Sequence, residues 1–248
     1  MKIDNAIERG NRYIAYVVLA AYVIIGILLL PQKFSVEEII DTSIESSERV
    51  EHIEEKHYYV SDVPLINQFP ELPTGCEVTS STMLLNFYGV DINKETLANE
   101  ILKAPLPVLR NGRVEGESPY EYFIGNPRDK KAFGVFNKPI FNLISKYMDA
   151  ENITGCEFSQ VIEKIKNGQP VMAWITRELT EVQYTSSWYV KNEEFWWPKG
   201  EHTIVITGVE GDTIIVNDPY DGKEKRYELE RFKRIWESIG RQAIVILE

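Results

Sequence analysis

The longest apolar stretch of the chain comes near its start. From Tyr13 to Leu30, the eighteen residues YIAYVVLAAYVIIGILLL contain no charge. As a helix this stretch is about 27 Å long, close to the roughly 30 Å hydrocarbon core of a bilayer. A cleaved signal peptide has a shorter apolar region followed by small residues, whereas PQKFS follows here. The pattern therefore predicts a retained transmembrane helix at residues 13–30.

The charges on either side of this span predict its orientation. The short N-terminal segment, residues 1–12, contains Lys2, Arg9 and Arg12, whereas the first four charged residues after Lys33 are all acidic. Because basic residues are enriched on the cytoplasmic side of a span, we expect the N-terminus in the cytoplasm and the C-terminal domain outside it. Residues 31–57 are acidic and only loosely periodic, which predicts a solvated stalk.

Residues 58–248 have the pattern of a folded domain with helices first and strands later. Helical periodicity predicts helices at 76–89, 93–101, 139–148 and 159–167. Residues 104–138 are rich in proline and glycine, which predicts mostly loop. Four β-branched runs follow, PVMAWIT, TIVITGV, TIIVNDP and QAIVILE. This order predicts an α+β domain rather than a repeating βαβ domain.

Composition and charge narrow the possible functions. Hydrophobic residues make up 44% of the chain and charged residues 26%, as in ordinary globular proteins. The formal net charge of -11, with no basic run interleaved with aromatic residues, argues against a nucleic-acid surface. Outside the cytoplasm, the two cysteines, Cys76 and Cys156, could form one disulfide.

Cys76 is also a candidate nucleophile. It follows the turn residues Pro73-Thr74-Gly75 and begins the first predicted helix of the domain. A cysteine attacks as the thiolate, and the unpaired N–H groups and the dipole at a helix N-terminus favour an anion. Cys156 also precedes a predicted helix, so placement alone does not distinguish the two cysteines.

The positions of the histidines in the sequence favour one candidate base for Cys76, and the strand pattern favours one candidate carboxylate to orient that base. His202 is the one histidine of the strand-rich half, and a nucleophilic cysteine needs a base that is oriented by a carboxylate or amide. If residues 210–212 form a three-residue turn, Val209 faces Thr213 and Asp218 is the diagonal neighbour of His202, within about 7–8 Å. A two-residue turn would place His202 and Asp218 on opposite faces of the sheet.

Two further features surround this candidate set. Gln68 lies eight residues before Cys76, where its amide and the Cys76 backbone N–H could hold the oxygen of a tetrahedral intermediate. Trp188, Trp196 and Trp197 precede His202. They could line a cleft, or they could pack in the core and on the surface, and the pattern does not choose between these possibilities.

Four sequence blocks, in this order, resemble a known family. The blocks VPLINQFPELPTGCEVTSSTMLLNFYG, YFIGNPRDKKAFGVF, EHTIVITG and IIVNDPYDG are similar to the stand-alone branch of the double-glycine (bacteriocin-processing) leader peptidase family, which are papain-like cysteine peptidases. The resemblance covers roughly residues 58–248 and implies the papain-like α+β fold. It also implies that Cys76 is the nucleophile, His202 the base, Asp218 its orienting partner and Gln68 the oxyanion-hole donor.

The substrate of that family does not carry over with its motifs. Transporter-linked members cut leader peptides while fused to membrane and ATPase domains. This chain has one predicted span, no G-x-x-x-x-G-K phosphate loop, and a domain predicted to lie outside the cytoplasm. Cleavage after two glycines is therefore not expected here.

Three functional hypotheses follow. The first is a membrane-anchored, outward-facing cysteine hydrolase that acts on peptide or isopeptide bonds of a peptide or protein substrate and needs no metal or organic cofactor. The second uses the same thioester chemistry in an acyl- or amide-transferase or a cell-wall amidase. The third is a catalytically silent binding domain on a membrane tether, with a Cys76–Cys156 disulfide or an unreactive thiol.

Overall fold

The computed structural model describes residues 57–247 of the chain. The predicted transmembrane helix at 13–30 and nearly all of the predicted stalk at 31–57 lie outside the described residues, so both stay predictions. Within residues 57–247, no helix combines the length and the apolar character that crossing a bilayer requires. The domain boundary predicted between residues 57 and 58 also stays a prediction.

Helices and strands are interspersed along the described residues. The helices are α1 (Cys76–Phe87), α2 (Lys94–Glu100), α3 (Asn137–Ile144), α4 (Phe158–Lys166) and α5 (Leu229–Ser238). The first six strands are β1 (His57–Tyr59), β2 (Lys103–Ala104), β3 (Val108–Arg110), β4 (Arg113–Glu115), β5 (Phe123–Ile124) and β6 (Ala150–Asn152). The later strands are β7 (Val171–Thr176), β8 (Tyr184–Val190), β9 (Glu193–Pro198), β10 (Glu201–Glu210), β11 (Thr213–Asp218), β12 (Lys223–Glu228) and β13 (Ala243–Ile246).

The centre of the domain is a seven-stranded antiparallel sheet. Its strand order is β12-β11-β10-β7-β13-β6, and β1 pairs with residues 208–210 of β10, beyond the end of the β7 pairing. All six residues of β7 and all four residues of β13 are buried. Their short apolar runs, VMAWIT and AIVI, have the composition of strands that are covered on both faces.

Helix α1 packs against β10 of this sheet and is buried along most of its length. Residues 76–85 are all buried, including several polar ones. The hydroxyl groups of Thr79, Ser81 and Thr82 donate to the carbonyl oxygens four residues earlier, at 2.7 to 2.8 Å. Because these bonds satisfy the three hydroxyl groups within the helix itself, α1 can be buried in the core without leaving them unpaired.

The predicted helices and the α+β class are confirmed, but the predicted order of helices first and strands later is wrong, because β2–β6 lie between the first four helices and α5 follows β12. Helix α1 ends at Phe87, and Gly89 follows in the left-handed region with φ of 85°. The Asn93 side chain accepts the Thr96 N–H at 2.8 Å and caps α2. Helix α3 carries Pro139 in its first turn, and α4 ends within one residue of its predicted end. The later strands form the antiparallel sheet.

A second sheet was not predicted. Residues 104–138, expected to be mostly loop, contain three short strands, and β3 and β4 join β8 and β9 in the order β3-β4-β8-β9. Trp188 on β8 and Trp197 on β9 are buried and pack against Phe133. Trp196 is 48% exposed. Two of the three tryptophans therefore have the packing role and the third lies on the surface.

The β10–β11 hairpin differs from the prediction at its turn and agrees with it further along. The predicted three-residue turn is wrong, because Glu210 pairs with Thr213 and leaves a two-residue turn. The register then shifts between Ile206 and Gly208, a β-bulge that adds one residue to β10. Beyond the bulge Ile206 pairs with Val216, which is the register expected from the sequence. The shorter turn and the extra residue of the β-bulge therefore compensate for each other in the pairing register.

Candidate active site

A close contact between Gly75 and Leu72, just before α1, fixes the backbone that leads into Cys76. A Cβ atom at Gly75 would lie 2.7 Å from the Cβ of Leu72, a distance that real Cβ atoms do not show, so this position requires glycine. The Cys76 side chain is buried, with 7% of its surface exposed. Cys76 and Cys156 are both free thiols, so the structure does not contain the disulfide that the sequence left open.

His202 and Asp218 form a buried pair. His202 lies near the start of β10 and pairs with Ile175 of β7, and Asp218 is the last residue of β11. The His202 Nε2 and Asp218 Oδ1 atoms are 2.7 Å apart, and the two residues are 3% and 1% exposed. The register beyond the β-bulge places Asp218 diagonally from His202 on one face, as predicted.

Asp218 also has a cationic partner that was not predicted from the sequence. Lys225 Nζ lies 3.0 Å from Asp218 Oδ2 and 2.7 Å from Glu178 Oε1. Lys225 faces Val216 across β11 and β12, so it is a diagonal neighbour of Asp218. The same register argument that was applied to His202 could have found Lys225.

The pKa of Asp218 reflects these partners. Burial raises the pKa of this carboxyl group, but the hydrogen bond and charge of His202, the Tyr220 N–H at 2.8 Å and Lys225 outweigh burial and lower the pKa to about 2. Asp218 is therefore a carboxylate at neutral pH and can hold the His202 ring in one orientation.

A cleft of about 170 Å³ brings the predicted residues together. Cys76, His202 and Gln68 line this cleft, and Tyr220 meets the His202 ring edge to face with centroids 6.3 Å apart. None of the three tryptophans lines it. Among the described residues no hydrogen bond joins the Cys76 thiol to His202. The thiol donates to Glu77 Oε2 at 3.3 Å instead.

Gln68 lies in this cleft with its amide group turned to the backbone. Its Nε2 donates to the carbonyl oxygens of Leu72 and Pro73, both at 3.1 Å. Its Oε1 is buried and has no hydrogen-bond partner among the described residues. The residue is in the predicted place, but both N–H bonds of its amide have acceptors, so its role as an oxyanion donor stays a prediction.

The helix N-terminus does not make Cys76 acidic in this state. Burial raises the pKa of the Cys76 thiol well above its ordinary value, and the negative charges of Glu77 and Glu201 raise it further, while Thr203 lowers it. The helix end is visible in the sequence, whereas the approach of the two carboxyl groups is not. Cys76 is therefore a thiol at neutral pH and depends on a base for ionisation.

Glu77 and Glu201 form a pair of carboxyl groups close to the Cys76 thiol. Burial raises the pKa of both, and for Glu201 the neighbouring Glu77 adds to the effect. Among the described residues, Cys76, Glu77 and Glu201 are the one group whose donor atoms lie close enough to hold a metal ion, within 4.8 Å of one another. The hydrogen bond from the thiol to Glu77 accounts for part of this closeness.

Comparisons with known proteins identify the family of the chain. The model of the Peptidase_C39 like family matches residues 60–244. The uncharacterized protein YvpB of Bacillus subtilis (strain 168) is 33% identical over 189 residues, which cover 75% of this chain and 74% of YvpB. The crystal structure of a putative C39-like peptidase from Bacillus anthracis superposes with a TM-score of 0.72 at 30% identity, covering 78% of this chain and 98% of that one. The chain therefore belongs to the Peptidase_C39 like family.

Proposed function

We propose that this protein is a cysteine peptidase that hydrolyses peptide or isopeptide bonds with Cys76 as nucleophile, His202 as base and Asp218 as the residue that orients His202. One observation carries the proposal. His202, whose Nε2 lies 2.7 Å from the buried Asp218 carboxylate, lines the same cleft as a free cysteine at the start of a core helix. Family membership supports the same chemistry.

The His202–Asp218 contact defines which ring nitrogen can act. Asp218 occupies Nε2, so Nδ1 is the nitrogen that can accept the proton of Cys76. The Cys76 thiol turns from Glu77 towards His202 and loses its proton to Nδ1, and Sγ attacks the carbonyl carbon. The imidazolium then donates this proton to the leaving amine, and water, with His202 again as base, hydrolyses the thioester.

The oxyanion of the tetrahedral intermediate needs donors in the cleft. The Cys76 backbone N–H belongs to the first turn of α1, where helix N–H groups have no intrahelical acceptor. Gln68 supplies the second donor when its amide exchanges the Leu72 or Pro73 carbonyl for the substrate oxygen. Removal of one such donor typically costs about 10²–10³ in rate.

A peptide-cleavage experiment tests the proposal. The full-length protein is incubated with a diverse peptide library, and new termini are identified by mass spectrometry. We expect cleavage by the unmodified protein and by Cys156→Ala, and none above background by Cys76→Ala, because the thioester cannot form without the Cys76 sulfur. Cleavage that persists in Cys76→Ala would reject the proposal.

The same experiment separates hydrolysis from transfer. An added primary amine competes with water for the thioester, so a transferase gives mainly amide conjugates whereas a hydrolase gives mainly free carboxylic acids. We expect mainly free acids.

We also propose that residues 13–30 anchor the protein to the membrane with its peptidase domain outside the cytoplasm. The support is the uncharged eighteen-residue run and the basic segment before it. The full-length protein should remain with bacterial membranes after an alkaline wash, whereas Ile24→Arg with Ile25→Arg should release it, because charges near the bilayer centre oppose insertion. Release of the unmodified protein by this wash would contradict the anchor.

A further inference from the structure

Two carboxyl groups meet beside the proposed nucleophile. Glu77 follows Cys76 in α1 and is fully buried, whereas Glu201 precedes His202 at the start of β10 and lines the cleft. A Cβ atom at Gly134 would lie 2.4 Å from Glu77 Oε1 and 3.1 Å from Glu201 Oε2, so both side chains converge on this glycine. The sequence places each glutamate directly next to a residue of the proposed catalytic pair.

This carboxyl pair has no cationic partner among residues 57–247. Glu77 Oε1 accepts the Val135 N–H at 2.7 Å and Oε2 accepts the Cys76 thiol, while Glu201 Oε1 is buried without a hydrogen-bond partner. Arg177 is the one lysine or arginine among the described residues that line the cleft, and its guanidinium group lies over the Tyr220 ring, 4.8 Å from the centroid. Two carboxyl groups this close favour a bound proton or an incoming cation over two negative charges.

A separate observation also indicates a ligand that donates hydrogen bonds. Gln68, 2% exposed, lines the cleft, and because its Nε2 is held by two carbonyl groups, its Oε1 is the end left without a donor. Two residues that line the cleft, Gln68 and Glu201, thus each have a buried acceptor oxygen that lacks a donor among the described residues.

We propose that Glu201, supported by Glu77, forms a subsite for a cationic group of the substrate, an ammonium or guanidinium group next to the bond that Cys76 attacks. This inference rests on the proposed function of Cys76. An ammonium or guanidinium group has several N–H donors and a positive charge, which matches acceptor oxygens beside unpaired carboxyl groups. A cation at this position also offsets the negative charges that raise the pKa of Cys76, so it promotes ionisation of the nucleophile as it binds.

Small thiol reagents of different charge test the subsite without a known substrate. The probes are 2-(trimethylammonium)ethyl, 2-sulfonatoethyl and methyl methanethiosulfonate, applied to the full-length protein with EDTA present. The rate of labelling is measured separately at Cys76 and Cys156 by peptide mass spectrometry. We expect the cationic reagent to label Cys76 about tenfold or more faster than the anionic reagent, with a smaller ratio at Cys156.

Variants that replace a glutamate at two different positions locate the origin of the charge preference at Cys76. Glu201→Gln should reduce the charge preference at Cys76 to that at Cys156, and Glu201→Asp should restore part of it. Glu163→Gln is the control, because it removes the same charge from an exposed position of α4 that pairs with Lys166. An unchanged Cys156 labelling rate and melting temperature verify that the Glu201 variants are folded.

The outcomes separate the two proposals. Labelling of Cys76 without charge preference, or a preference that persists in Glu201→Gln, overturns the cation subsite and leaves the nucleophile in place. Labelling of Cys156 with no labelling of Cys76 by any reagent overturns the proposed function, and the cation subsite with it.

Discussion

Replacement of His202 by alanine is expected to slow acylation of Cys76 by p-nitrophenyl acetate by about 10²–10⁴-fold, the usual contribution of a general base. The reason is the state of the thiol. Burial and two carboxyl groups hold the pKa of Cys76 above its ordinary value, so the helix N-terminus alone does not supply a thiolate at neutral pH. The rate is measured from nitrophenolate release by the full-length protein.

Three controls accompany this measurement. Cys76→Ala defines the background, and Cys156→Ala should match the unmodified protein. His202→Gln keeps an amide that can contact Asp218, so a folded protein with the same loss of rate attributes the effect to the missing base rather than to a damaged core. A fall of less than about threefold in both His202 variants would mean that His202 is not the base of Cys76.

Replacement of Asp218 by alanine is expected to lower the free energy of unfolding by about 3 kcal/mol, because it removes one partner of a buried charged network. The His202 Nε2 loses a partner at 2.7 Å, and the Tyr220 N–H loses its acceptor at 2.8 Å. Lys225 keeps its contact with Glu178. Urea denaturation of the full-length protein measures the change.

The matched control for this change is Asp221→Ala. The Asp221 carboxylate lies 3.8 Å from Lys225 Nζ, and its side chain is 35% exposed. We expect a loss within about 0.5 kcal/mol, as for surface substitutions in general. Equal losses of unfolding free energy in the two alanine variants would contradict the prediction that Asp218 stabilises the fold through its buried contacts.

The contribution of Asp218 should also depend on pH in a defined direction. Its folded pKa of about 2 lies below the ordinary value of 3.8. A carboxyl group with a lowered pKa stabilises the folded state fully above its unfolded pKa and loses this contribution as the pH falls through its folded pKa. The difference in unfolding free energy between the unmodified protein and Asp218→Ala should therefore shrink between about pH 4 and about pH 2.

The hairpin shows how far the sequence could predict the site. Alternation along β10 and β11 placed His202 and Asp218 on one face, and the structure joins them. The turn residues did not reveal that Glu210 pairs with Thr213, nor that a β-bulge after Ile206 compensates for the shorter turn. Bulges depend on local backbone packing, so periodicity alone does not detect them.

The residues that control the charge of the site were harder to predict. Glu77 and Glu201 come from distant parts of the chain, and the fold brings them together beside Cys76. The sequence showed the helix N-terminus, which favours a thiolate, but not the burial and the neighbouring carboxyl groups that oppose it. The net electrostatic effect needed coordinates.

Helix α5 was missed although its sequence carried a signal. Phe232, Ile235 and Trp236 are buried at helical spacing, and the Glu228 carboxylate accepts the Glu230 and Arg231 N–H groups. This is the i, i+3, i+4 pattern of an amphipathic helix with a capped N-terminus. Here the information was present, whereas the short strands of the second sheet gave no periodic pattern to detect.

The central claim is that Cys76 is the nucleophile. Identification of the residue that p-nitrophenyl acetate acetylates tests this claim most directly. The full-length protein is treated with p-nitrophenyl acetate at neutral pH, quenched in acid before the thioester hydrolyses, and digested, and the acetylated residue is identified by mass spectrometry. We predict acetyl on Cys76, removable by hydroxylamine as expected of a thioester, and its loss in His202→Ala at the same reaction time. Acetyl on Cys156 or lysine with Cys76 unmodified would contradict the role of Cys76 as the nucleophile.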